Sequence, residues 1–218
     1  MKYQRARSEE QIQDRIQEIV AAASMIYDAE GYEGLNFTTI SEYTKFTRPN
    51  IYKYFKTKEE IILLILNQDL ESWIFELSKS FHINKLYSIQ EIGEIWTDTL
   101  MKHERLIELH AILYTTIEKN VSVEALAEFE KKSIANNSAI FNLVSQLFPK
   151  AGVGSITNFI YAAFTLAFGL YPMSKLSELQ IDAIKLSGSI YTPPDFKRTY
   201  LASLYQLMYC LEHSIVIE

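Results

Sequence analysis

The stretch TKFTRPNIYKYFKTKEE, Thr44 to Glu60, carries Lys45, Arg48, Lys53, Lys56 and Lys58 before its first acidic residue, in a chain of formal net charge -6. Thr47 can cap a short helix with Pro49 in its first turn, where a missing N–H costs nothing. Just upstream, Asn36 can cap another helix running to about Tyr43. Two short helices joined by the few residues around TKF, behind a longer one, form the layout of a helix-turn-helix, whose second helix fits the DNA major groove. The spacing lets Ile40, Phe46, Ile51 and Phe55 meet beneath the short helices, with Ile19, Val20 and Ala23 of the preceding helix as partners. Arg48, Asn50, Lys53 and the neighbouring tyrosines then fall on the opposite side. Arginine can grip a guanine edge with two hydrogen bonds and asparagine an adenine, while tyrosine and lysine reach phosphate oxygens.

Working outward, helical punctuation recurs along the chain, and alternating strand patterns and Asn-Gly hairpin signals are absent. The expected class is all-α. Ser8 with Gln11 makes a capping box for a first helix through Ile12, Ile16, Ile19, Val20, Ala23 and Ile26, which Gly31 stops. Thr57 with Glu60 is a second box, opening a longer helix through Ile61, Leu64, Ile65 and Leu70 towards Trp73 and Leu77. Ser88 and Glu91 box a helix containing Ile92, Ile95 and Trp96. Further helices are expected over His103 to Glu118, Ser122 to Phe148, Ser155 to Tyr171 and Asp195 to about His213, with an irregular stretch near residues 173–195 that has room for one short helix.

The segment EGLNFTTISEYTKFTRPNIYKYFKTKEEII, Glu33 to Ile62, resembles the TetR family of bacterial transcriptional regulators. The aromatic pair in IYKYF, with Lys58 and Glu59 following Phe55, falls at the family's spacing from Ile40 and from the turn. The turn departs from the pattern in carrying Lys45, and Ser41 and Asn50 replace commoner residues. The resemblance implies that Thr38 and Arg48 approach bases, that Thr47, Asn50, Tyr52, Tyr54 and Lys58 touch mainly phosphates, and that Pro49 packs on a thymine methyl or sugar edge. Lys53 could serve either purpose. It also implies a homodimer that binds double-stranded operator DNA, with a helix-turn-helix domain over residues 1–57, a bridging helix over 58–81, and a ligand-binding and dimerisation domain over 82–218. Two-fold symmetry then sets recognition helices about 34 Å apart or a multiple of it, matching a near-palindromic operator.

For the larger domain the family's architecture implies a four-helix dimer interface from the apolar helix and the terminal helix, where Phe159, Ala163, Ala167, Tyr205 and Met208 are the expected contacts. The 13% aromatic content is rich enough to line a cavity. Trp96, His103, His110, Tyr114, Phe141 and Phe164 lie on helices that surround the effector pocket in the family. The effector implied by so apolar a domain is lipophilic or aromatic and acts by releasing a repressor from DNA. His103 and His110 are two helical turns apart, about 10 Å along the axis, too far for both to ligate one ion.

Composition narrows the alternatives. The chain's 218 residues, 48% hydrophobic, suffice for a well-buried core. Its lone Cys210 and lack of a signal-like start place it in a reducing cytoplasm, and MKYQRARSEEQ reads as a basic arm. The apolar run Ile156 to Met173 reads as a buried helix, not a membrane span, because polar residues interrupt it. No nucleophile elbow, P-loop, zinc spacing or dinucleotide fingerprint occurs, so neither catalytic residues, a metal site nor a cofactor is expected. The rival readings are a helical adaptor that binds a protein instead of DNA and, further off, an all-α enzyme.

Overall fold

The computed structural model describes residues 9–82 and 85–213, in which ten α-helices and no strand occur. They gather into two compact units that interleave in sequence: residues up to Gln68 with Leu113–Lys132, and Asp69–Ile112 with the chain from Ser133 onward.

In the first unit, α1 (Glu9–Gly34) kinks at Gly31, whose φ of 69° is open to glycine at little cost. Ser8, half of the expected capping box, and the basic segment before it lie outside the described residues. Asn36 caps α2 (Phe37–Tyr43) by accepting from the amides of Thr38 and Thr39 at 2.9 and 3.0 Å. Thr47 precedes α3 (Arg48–Ile51), but its carbonyl does the capping, accepting from the Asn50 and Ile51 amides; its hydroxyl makes no cap bond. After Ile51 the chain tightens into turns closed by Lys53 N–H to Asn50 O and Tyr54 N–H to Ile51 O, so regular helix covers only the one turn Arg48–Ile51. Ile40, Phe46, Ile51 and Phe55 are buried together with Ile19, Val20, Ala23 and Leu35.

Helix α4 (Lys58–Lys79) begins in the first unit and ends in the second. Only one arm of its expected capping box forms: the Glu60 amide reaches the Thr57 hydroxyl at 3.4 Å, whereas the Glu60 carboxylate turns to the Lys56 amide. In the second unit Ser88 and Glu91 close both arms of the box that opens α5 (Ile89–Met101). The helix expected over His103 to Glu118 is broken. It runs as α6 (Glu104–Ala111), a π-helical turn over Leu113–Ile117 and a 3-10 turn over Glu118–Asn120. The run Tyr114-Thr115-Thr116-Ile117 explains the break, because aromatic and β-branched side chains lose rotamer freedom against a regular preceding turn. Helix α7 (Val123–Leu147) follows, then α8 (Val153–Ser174), α9 (Glu178–Ser187) and α10 (Phe196–Glu212). Ser177 and Gln180 form a capping box for α9 that the sequence reading passed over, and Gly188 ends that helix at φ 66°. Asp195 caps α10 by accepting from the Arg198 amide at 2.7 Å.

Long and apolar enough by composition to cross a membrane, α8 nevertheless packs against α10 and α6 and buries seven residues there. Aromatic rings run through this core in one ladder. His110 stacks on Phe168 at 4.4 Å and Phe168 on Phe164 at 5.5 Å; Phe164 then meets Trp73, Trp73 meets Trp96 and Trp96 meets Phe159, each edge to face. Trp96 donates its indole N–H to the Tyr200 hydroxyl at 3.0 Å, and Trp73 donates to Thr99.

Two predictions test this packing. A Cβ added to Gly93 of α5 would stand 2.6 Å from the Tyr205 ring, so Gly93→Ala should lower the unfolding free energy by about 1–3 kcal/mol in a urea titration. Burial pushes the His110 imidazole down to about 4, outweighing the Leu106 carbonyl and Asp69, which favour the charged form. Unfolded histidine takes up a proton below about 6.5, so stability should fall as pH drops from there towards 4, by up to about 3 kcal/mol. His110→Phe should remove that part of the pH dependence.

Candidate nucleic-acid interface

The nine residues read from sequence as DNA contacts all belong to the first unit, and none is buried. Thr38, Thr47, Arg48, Pro49, Tyr52 and Lys53 are exposed; Asn50, Tyr54 and Lys58 are half-buried. Burial of Ile51 and Phe55 on one side of α3 and its following turn dictates this division, since the intervening side chains must point away from the small core. Arg48 has no ion-pair partner among the described residues. Tyr52 packs edge-on against Phe37 at 4.7 Å, which fixes its ring while leaving the residue 53% exposed. Lys53 donates to the Asn50 side-chain oxygen at 3.1 Å, so two of the expected contacts form one exposed pair. The Tyr54 hydroxyl lies 3.5 Å from Arg15 of α1, a long contact.

Lys58 is more engaged than its sequence role suggests. Its ammonium donates to the Tyr32 carbonyl at 2.7 Å and sits 3.8 Å over the Tyr32 ring. The Tyr32 hydroxyl in turn donates to Glu59 at 2.6 Å, and burial followed by this bond pushes the phenol above its ordinary range. The kinked end of α1 is thereby tied to the first turn of α4. In the turn before α3, Lys45 pairs with Glu18 of α1 at 3.1 Å, and Ser41 donates to the Thr38 carbonyl. All three departures from the family pattern, Asn50 with its Lys53 partner included, therefore have partners inside this unit.

Of the six residues expected around an effector, five belong to the second unit and Tyr114 to the first. His110, Phe164 and Trp96 share the aromatic ladder, and Phe141 packs against the same core. Trp96 is fully buried with its N–H already paired. His103 is held by Glu76 at 3.1 Å, and Tyr114, 69% exposed, belongs to the first unit. Clefts of 430 and 210 Å³ in the second unit are lined by other residues, among them Phe81, Tyr87, Asn142 and Leu147. The sequence reading missed the Thr97 hydroxyl and the Asn136 amide nitrogen, both buried without a hydrogen-bond partner. Asn136 lies four residues before Ile140 in an otherwise apolar stripe, and that periodicity was the available signal.

Four of the five expected dimer contacts lie in the chain's own core, and the fifth, Tyr205, is half-buried. Phe159, Ala163, Ala167 and Met208 are fully buried in the chain's own core, and Tyr205 covers Gly93 of the same chain. A buried side chain has no area left to give a second subunit. Outward on α8 lie Asn158, Tyr161, Thr165 and Gly169, and on α10 Ala202, Gln206 and Tyr209.

Residues 19–65 match the family model for bacterial regulatory proteins of the tetR family, and residues 67–212 match one for a tetracyclin repressor-like C-terminal domain. No curated protein matches the chain. A transcriptional regulator from Rhodococcus sp. Rha1 shares the fold with a TM-score of 0.55 at 14% identity, over 93% of this chain and 99% of its own. The fatty acid degradation regulator FadR from Bacillus halodurans does so with a TM-score of 0.52 at 12% identity, over 98% and 100%. With both family models matched in order, and a helix-turn-helix whose outer side carries the cationic residues, the chain belongs to the TetR family of bacterial transcriptional regulators.

Proposed function

We propose that this protein is a cytoplasmic, homodimeric repressor that leaves a palindromic operator when its C-terminal domain takes up a small lipophilic or aromatic effector. The observation that carries the reading is the outward presentation of Arg48, Tyr52 and Lys53, with Ile51 and Phe55 holding the other side of the same short helix in the core. Thr38 and Arg48 approach bases; Thr47, Asn50, Tyr52, Tyr54 and Lys58 lie along phosphates; Pro49 meets a thymine methyl or sugar edge, and Lys53 serves either. The dimer forms through the outward stripes of α8 and α10, where Tyr161 and Tyr209 are 68% and 51% exposed and Gly169 and Ala202 permit close helix approach. An effector acts only through unequal affinity for the DNA-competent and incompetent states. The apolar, aromatic character of the domain favours a lipophilic or aromatic effector over a small anion.

Arg48→Ala should relax preference at one base position and cost about 1–3 kcal/mol on the preferred sequence. Tyr52→Phe should weaken all duplexes alike, and fluorescence anisotropy over a panel of single-base operator variants separates the two outcomes. Identical base-preference profiles for both substitutions would refute the division between base and phosphate contacts. For the dimer, Tyr161→Asp and Tyr209→Asp should each raise the dissociation constant at least roughly tenfold, read by analytical ultracentrifugation, because a charge would be buried in the apolar part of the interface.

A further inference from the structure

Residues 113–132 lie within the match to the C-terminal family model, yet they pack in the same compact unit as the helix-turn-helix. The contact centres on one carboxylate, with an exposed Lys56–Glu124 ion pair at 3.9 Å beside it. Glu60, buried in the first turn of α4, accepts from the Lys56 amide at 2.7 Å through Oε2. Through Oε1 it accepts from the Ser122 hydroxyl at 2.6 Å and the Ser122 amide at 3.2 Å. Beside it, the Thr57 hydroxyl donates to the Asn120 carbonyl at 2.8 Å. Glu60 thus stands at the start of α4 while binding Ser122, the residue just before α7, so one negative charge meets the positive ends of two helices. Although burial opposes the charge, the bonds from Ser122 and the Lys56 amide outweigh it and hold the carboxyl below its ordinary range. The cleft alongside is lined by Tyr52, Lys53, Tyr54, Phe55 and Lys56 from one side and by Ser122, Glu124 and Glu128 from the other.

We propose that Glu60 and Ser122 form a latch through which the segment 120–124 sets the pose of the phosphate contacts Tyr52, Tyr54 and Lys58. The inference rests on the reading of those residues as phosphate contacts. Both partners are positioning residues: neither touches DNA, and each acts through the turn from Tyr54 to Thr57, whose Lys56 amide shares the Glu60 carboxylate. The C-terminal sequence therefore controls DNA affinity from a point 62 residues beyond Glu60 in the chain.

The test uses the full-length protein and a labelled random-sequence duplex at low salt, with no effector required. Ser122→Ala should weaken binding roughly tenfold, as expected for loss of a hydrogen bond to a charged group. Ser122→Thr, which keeps the hydroxyl, should bind as the wild type does. Glu60→Gln should also weaken binding, although removing a negative charge near DNA would by itself tighten it. The double variant should be no weaker than the worse single one. In the DNA-free protein, Ser122→Ala should speed amide hydrogen exchange at Tyr54, Phe55 and Lys56 at least roughly tenfold, leaving Ile19 to Ala23 unchanged. Unchanged exchange at residues 54–56 overturns the latch, as does duplex affinity within twofold of wild type in both single variants. A wild-type protein that retains no duplex would instead refute the DNA reading, and the exchange data would then decide the latch alone.

Discussion

The small apolar contact of Ile40, Phe46, Ile51 and Phe55 with Ile19, Val20 and Ala23 is what the remaining features depend on. A helix of one turn cannot stand alone in water, since nucleation costs more than its few hydrogen bonds return. Arg48–Ile51 persists as a helix because Ile51 and Phe55 are anchored below it, and the same anchoring sends Arg48, Tyr52 and Lys53 outward. Burying these large side chains contributes about 1.5–3 kcal/mol apiece, well above the fraction of a kcal/mol that an exposed ion pair such as Lys45–Glu18 supplies. Hydrophobic packing therefore determines where the charges point.

Charge distribution answers how an acidic chain keeps a cationic face. The two acids that close the basic stretch are withdrawn from it: Glu59 is bound by the Tyr32 hydroxyl and Glu60 by backbone amides and Ser122. Of what remains exposed from Thr47 to Lys53, Arg48 and Lys53 are positive and no residue is acidic. Long-range steering of a polyanion needs only such a local field, and the net charge of -6 keeps association with nucleic acid confined to that face.

Legibility in the sequence followed the range of the interactions. Caps at Asn36 and Ser88 are local, and each was readable from a few neighbouring residues; Gly31, read as a stop, kinks α1 instead of ending it. The helix-turn-helix was equally plain, because its core repeats at helical spacing within a short window. Contacts between distant segments were not. Nothing around Glu60 announces Ser122, and the expected Thr57–Glu60 box lacks its second arm because the Lys56 amide and Ser122 take the two carboxylate oxygens. The apolar α8 concealed its outward face, since a helix rich in apolar residues all round gives no periodic signal; hence Phe159, Ala163 and Ala167 were assigned to an interface when they fill the chain's own core. The break at Ile112 was visible in principle in the β-branched run after Tyr114, but the helical pattern of α6 masked it.

The account stands or falls on whether the face around Arg48 reads duplex DNA in two copies related by symmetry. The direct measurement is selection of duplexes from a random pool by the purified full-length protein, followed by sequencing of the bound fraction. The account predicts an inverted repeat whose half-sites are separated by about one helical turn or a multiple of it, and its loss at raised salt. Enrichment of an unpaired, asymmetric motif, or no enrichment at low ionic strength by a folded protein, would contradict it.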